Sequence, residues 1–191
     1  MNQLNNQKNN LHNVKGKKIS GIYLAVDYTP TADFIIDKIA KELGIVPDNG
    51  SGEDKEYKYH TTIIYSKFKT PLWQDDNPKS LFNFQTKNGS TIFKKSKPKI
   101  SVPVKITGFG FFENTKDGRN FHIKVSSPFL THEFDRAIKF GLPTDFPKYT
   151  PHITVKNNVP KDFTVPKEIL TKYIGTILYT NDEYIEELDK K

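Results

Sequence analysis

The stretch that decides the reading is KYTPHITVKNN, residues 148–158. It reads as a β-strand that carries one imidazole and one hydroxyl two positions apart. Successive strand side chains point to opposite faces. His152 and Thr154 therefore share a face, and Ile153 and Val155 occupy the other. By the same alternation Lys156 falls with His152 and Thr154, which makes it a candidate phosphate contact. A second copy stands upstream in KYHTTIIYS, residues 58–66, where His60 and Thr62 point together and Thr61 and Ile63 point away.

The order of elements around the two copies also repeats. KKISGIYLAVDY (17–28) reads as a strand. TPTADFIIDKIAKELG (29–44) follows as a helix, with Thr31 as cap, Gly44 as stop, and Ile35, Ile39 and Leu43 as its buried stripe. The first His-x-Thr strand comes next. In the second half, KISVPVKITGFGFFE (99–113) and NFHIKVS (120–126) read as strands joined by the turn-forming NTKDGR. SSPFLTHEFDRAIKFG (126–141) reads as a helix capped by Ser127, with Pro128 in its first turn and Gly141 at its stop. The second His-x-Thr strand follows it. A last strand, KYIGTILYTN (172–181), leads into an acidic tail. Chance supplies about half a His-x-Thr per chain of this composition. Two copies, each on a strand after a helix, form a pattern that one copy does not.

Composition sets the outer bounds. The chain has 191 residues, enough for one domain or two tightly packed lobes with a real core. Residues 1–16 are rich in Asn and Gln and read as a disordered or loosely attached tail, leaving 17–191 as one domain. The segment at about 67–97 mixes Pro, Asn, Lys and aromatics without clear periodicity and reads as an insertion or lid. No window is apolar enough to span a bilayer, and the N-terminus lacks a signal-peptide core. With no cysteine in the chain, disulfides, thiolate zinc sites and a cysteine nucleophile are excluded. A cytoplasmic protein without membrane contact is expected. No feature requires an obligate protein partner.

The formal net charge is +7, and 27 of the 29 basic residues are lysine. Charge alone does not choose between a solvated lysine-rich surface and a field that draws in phosphate-bearing ligands. The lysines at 87, 94, 95, 97, 99 and 105 carry the same ambiguity.

Two imidazoles and two hydroxyls on one side suit cleavage of a phosphodiester. One imidazole takes a proton from the attacking oxygen while the other gives one to the leaving oxygen, and histidine titrates where both tasks are possible. Threonine hydroxyls can hold the non-bridging oxygens as charge develops. This chemistry calls for no metal and no cofactor. The remaining histidines are scattered. His122, in FHIKV, has lysine where threonine would complete the motif and reads as structural, and His132 falls in the second helix as a surface or core residue.

The segments HTTI and PHITV, with the tyrosine and proline before the second histidine, resemble the motifs of the 2H phosphoesterase superfamily. Within it, GIYLAV and HTTIIYS look most like the phage anti-CBASS nucleases, which degrade cyclic di- and trinucleotide alarm signals. The resemblance implies an α+β, bilobal fold, with two pseudo-symmetric lobes of antiparallel sheet, helices outside and a central cleft. It also implies His60 and His152 as the acid/base pair, Thr62 and Thr154 as phosphate holders, and Tyr23 as a base-stacking residue. Glu183 is the acidic residue assigned to a base edge. Trp73 is open to two readings, capping a base or pinning the 67–97 segment. Enzymes acting on RNA 2′,3′-cyclic phosphates or 2′,5′ linkages, and a non-catalytic protein that sequesters nucleotides, fit the same residues.

Overall fold

The computed structural model describes residues 21–48, 59–67, 83–87, 90–94, 101–113, 118–139 and 144–187. Eleven elements run in the order β1 (Ile22–Tyr28), α1 (Pro30–Glu42), β2 (His60–Ser66), β3 (Asn83–Lys87), β4 (Ser90–Lys94), β5 (Pro103–Glu113), β6 (Arg119–Ser126), α2 (Pro128–Lys139), β7 (His152–Val159), α3 (Lys167–Tyr173) and β8 (Ile177–Glu187). The α+β expectation therefore holds, and both His-x-Thr motifs open strands.

The strands lie in the order β1-β2-β7-β6-β5-β8-β4-β3, and β1 also pairs with β8. All these pairings are antiparallel. β8 closes the set into a ring. Its first residues, Ile177 to Tyr179, pair with β5, and Thr180 to Glu187 pair with β1. The 67–97 segment contributes the β3–β4 hairpin, whose β4 adds to β8. The Asn-rich 1–16 tail and Trp73 lie outside the described residues.

One apolar cluster joins the helices to one face of the strands. Leu24, Val26, Ile64, Ile123, Ile153 and Val155 of the sheet pack with Ile36 and Ile39 of α1, Leu130 and Phe134 of α2, and Ile169 of α3. This is the alternation of the two motifs at work: Ile153 and Val155 face the core and leave His152 and Thr154 on the other side. No described helix is long and apolar enough to cross a membrane.

Several local expectations shift. Thr29, not Thr31, caps α1: its hydroxyl accepts from the Ala32 N–H at 3.3 Å, and Pro30 takes the first helical position, where no N–H is needed. The buried stripe is Ala32, Ile36, Ile39 and Ala40, with Ile35 and Leu43 at its margin. Gly44 follows the helix with φ of +68°, a conformation glycine adopts without a Cβ penalty. Ser127 precedes α2 but donates its hydroxyl to the Pro103 carbonyl at 2.9 Å, tying the helix start to β5. Residues 167–173 form α3, and β8 begins at Ile177 and continues through residues expected in the acidic tail. Gly141 lies outside the described residues.

Candidate active site

β2 and β7 meet at the pairing of Thr61 with Ile153. Extended one residue each way, that register sets His60 across from Thr154 and Thr62 across from His152. An antiparallel pair has a local twofold axis, which here passes between Thr61 and Ile153. It relates one motif to the other. The two histidines are diagonal neighbours, at a backbone separation of about 7–8 Å in a regular sheet, within reach of one small group held between their rings. All four side chains are half-buried. The core side of the same rung is sealed by Thr61, whose hydroxyl hydrogen-bonds the Tyr28 hydroxyl at 2.7 Å.

The His152 Nδ1 lies 2.8 Å from the Thr150 carbonyl oxygen. A carbonyl only accepts, so Nδ1 carries a hydrogen, and the exchangeable site is Nε2. Burial pushes the pKa of His152 down, and the Thr150 carbonyl opposes that shift by stabilising the imidazolium. Burial also lowers His60, and positive charge on His152 lowers it further. A proton on His152 therefore disfavours one on His60.

Tyr23 stands beside the first motif. Its hydroxyl accepts from Thr62 at 3.3 Å, and its ring lies edge-on to His60 with centroids 5.7 Å apart. Tyr65 and Phe146 extend this aromatic side, with centroid separations of 6.4 Å from Tyr23 to Tyr65 and 6.0 Å from Tyr65 to Phe146. Asp27 is directly across from His60 in the β1–β2 register. It is buried, accepts from the Asn181 side chain at 3.2 Å and from the Asp182 N–H, and its pKa is raised by burial.

Two expected contacts are placed elsewhere. The Lys156 Nζ is paired with Asp48, whose other oxygen accepts from the Asn157 N–H at 2.6 Å. The β6–β7 register is irregular between Phe121 and His122, and Lys156 comes opposite Phe121. Glu183 pairs with Val26, on the core side of the sheet. It is only 6% exposed and lies 4.0 Å from Arg136 of α2.

The structure also brings in residues that the motif did not select. Lys124 pairs with His152 and His122 with Thr154, so both share the histidine face. Both reach across β5: a Cβ on Gly110 would come within 2.6 Å of the Lys124 Cε and 2.7 Å of the His122 Nε2. His122 stacks on Phe112 at 4.0 Å, and the His122 and His152 rings are 5.2 Å apart. Burial, then the charge on His152, lowers the pKa of His122 to about 4, with Lys124 adding to the effect and the Asn120 backbone opposing it. At neutral pH it is an uncharged ring. The available signal was the alternation in FHIKV, which puts His122 and Lys124 on one face; nothing local assigned that face to the motifs. Among the described residues, no group of three or more His, Asp or Glu is arranged to hold a metal ion.

Comparison with known proteins adds to this geometry. The chain is 35% identical over 101 residues to the anti-CBASS protein Acb1 of Vibrio phage KVP40, covering 49% of this chain and 62% of the relative. It thus spans less than two thirds of that relative's length. It is 24% identical to the anti-CBASS protein Acb1 of Escherichia phage RB16, across 90% of this chain and 83% of the relative. A solved structure, TT0787 of Thermus thermophilus, aligns over 87% of this chain and 84% of its own, at 12% identity and a TM-score of 0.42. The family model described as Anti-CBASS protein Acb1 matches residues 20–191. The resemblance to the phage anti-CBASS proteins thus holds along nearly the whole chain, and the chain belongs to the anti-CBASS protein Acb1 family.

Proposed function

We propose that this protein is a phosphodiesterase of the 2H type that opens cyclic di- or trinucleotides and so counters the CBASS defence of a bacterial host, acting in the host cytoplasm. The observation that carries this reading is the rung between Thr61 and Ile153, which sets two His-Thr pairs around one local twofold axis on one face. Membership of the anti-CBASS protein family supports the part of the reading that concerns CBASS. In this reading the two halves are lobes and the histidine face lines the cleft between them.

The Thr150 carbonyl, which favours the charged form of His152, is the basis for the roles proposed. His60, neutral, takes the proton from the attacking oxygen as that oxygen forms its bond to phosphorus. His152, protonated, donates from Nε2 to the leaving oxygen as its bond to phosphorus breaks. The proton thus passes from His152 to His60 over one turnover, and exchange with solvent restores the starting state. Thr62 and Thr154 donate to the non-bridging oxygens, and Lys124 supplies positive charge beside His152. Proton transfer of this kind contributes about 10²–10⁴-fold. The chemistry is complete without a metal or cofactor.

The test is incubation with a panel of 3′,3′-cyclic di- and trinucleotides, and with RNA bearing 2′,3′-cyclic phosphates, in the presence of EDTA. Linear products that persist under chelation and vanish in His60→Ala and His152→Ala support the reading. Cleavage of the RNA ends alone would move the substrate class. Tight binding with intact ligand recovered would make the protein a sequestering one.

A further inference from the structure

Among the described residues, β2 and β7 share one rung, Thr61 with Ile153, while each runs on beside its other neighbour, β1 or β6. An aspartate grips each strand beyond that rung. Asp48 follows α1, and its N–H donates to the Val155 carbonyl of β7 at 3.0 Å. One of its carboxylate oxygens takes the Lys156 Nζ, and the other accepts from the Asn157 N–H at 2.6 Å. Asp145 follows α2, and its N–H donates to the Tyr65 carbonyl of β2 at 2.9 Å. One of its carboxylate oxygens accepts from the Ser66 hydroxyl at 3.4 Å, and the other from the Lys67 N–H at 3.3 Å.

The two sets of contacts follow one pattern. The aspartate N–H goes to the carbonyl of one strand residue, and the carboxylate takes the side chain of the next and the N–H of the one after. Their places in the chain also correspond: Asp48 stands six positions after Glu42, the last residue of α1, and Asp145 six after Lys139, the last of α2. Each reaches across to the other half. Asp48 precedes the first motif and holds the strand of the second, and Asp145 precedes the second motif and holds the strand of the first. The grips begin three residues past His152 and five past His60, and so lie on opposite sides of the rung.

We infer that Asp48 and Asp145 are paired positioning residues, reciprocal clips that fix the spacing of the two histidine strands on either side of their rung. The inference rests on the phosphodiesterase reading for a reaction that needs this spacing, and on the hydrogen bonds for the clips. Two strands joined at one rung can splay about it, and the two imidazoles are diagonal across that rung. Hydrogen bonds to a carboxylate are stronger than those between neutral groups, and a clip on each side opposes splaying in both directions. Both aspartates act through the strands, so they govern how the histidines are aligned.

The experiment measures turnover of a 3′,3′-cyclic dinucleotide together with the His60 and His152 imidazole resonances by NMR. Asp48→Ala and Asp145→Ala should each lower kcat by about 10- to 100-fold, leave KM little changed and shift both histidine resonances. Asp48→Asn and Asp145→Asn keep an acceptor for the strand N–H and should retain most of the wild-type kcat; they also carry the test if an alanine variant fails to fold. Glu42→Ala controls for lost stability alone, because it removes a carboxylate that holds Lys172 and Tyr173 of α3; it should move neither resonance. Wild-type kcat with unmoved resonances in both alanine variants overturns the inference, as does an equal loss in Glu42→Ala. A wild type without turnover, whose two histidine resonances still move in the alanine variants, removes the phosphodiesterase reading and leaves the clips in place.

Discussion

Replacing Gly110 by alanine adds one methyl group at the most crowded point behind the second motif. The new Cβ would stand 2.7 Å from the His122 Nε2, and ordinary contact begins at 3.4 Å, so the imidazole must withdraw by about 0.7 Å. Lys124, at 2.6 Å, can swing its exposed tip aside. His122 cannot, because it is buried between Phe112 and His152. The displacement therefore passes to His152, whose Nε2 meets the leaving oxygen in the proposed mechanism. Overpacking of this kind costs about 1–3 kcal/mol of stability, and misplacing a catalytic group by a comparable distance lowers turnover by up to about 10²-fold. Gly108→Ala is the matched control on the same strand, since its nearest contact is the Lys124 Cδ at 3.9 Å. The assays are thermal unfolding, hydrolysis of a cyclic dinucleotide and the His152 imidazole resonances by NMR. If Gly110→Ala and Gly108→Ala behave alike in all three, the argument that His122 braces His152 is refuted.

Other outcomes follow from the same contacts. The folded pKa of His122, about 4, lies below its unfolded value, so the unfolded state binds the extra proton first. Stability is then full above about pH 6.5 and falls as pH drops toward 4, by on the order of 3 kcal/mol from this group; denaturant midpoints for wild type and His122→Phe should converge in pH slope only if His122 is not the source. Lys156→Ala should leave KM unchanged and cost at most about 1 kcal/mol, as a half-exposed pair does. Lys124→Ala should raise KM, and the opposite ranking would return Lys156 to the site. Glu183→Gln should lower the stability by about 1–3 kcal/mol, read from denaturant unfolding, without altering base preference in a substrate panel.

Both motifs were legible because a strand needs only a two-residue period to sort its faces, and His60, Thr62, His152 and Thr154 obey it. α1 and α2 were legible for a similar reason, since each runs for more than three turns with an apolar stripe. α3 was not: seven residues hold too little of a helical period to register, and its tyrosine and isoleucine read equally well as strand. The cap of α1 went to Thr29 because Pro30 is best placed at the first helical position, which the later threonine obscured. The partners of Lys156 and Glu183, Asp48 and Arg136, were hidden for a common cause. Which face a strand residue meets depends on the register with its neighbours, and both the bulge beside Phe121 and the pairing of β8 with β1 are contacts between residues far apart in sequence. The same non-locality hid Phe112 and His122, which lie next to His152 from β5 and β6.

The ring of strands has a mechanical consequence. The two histidine strands are joined directly at the rung between Thr61 and Ile153, while the other way round runs from β2 through β1, β8, β5 and β6 to β7. Such a loop is a clamp with a short jaw and a long spring. The spacing of the jaw is set partly by how β8 divides itself between β5 and β1 near Tyr179 and Thr180, a place with no chemistry of its own. A change of one residue in that crossing would alter the gap between the imidazoles without touching either of them.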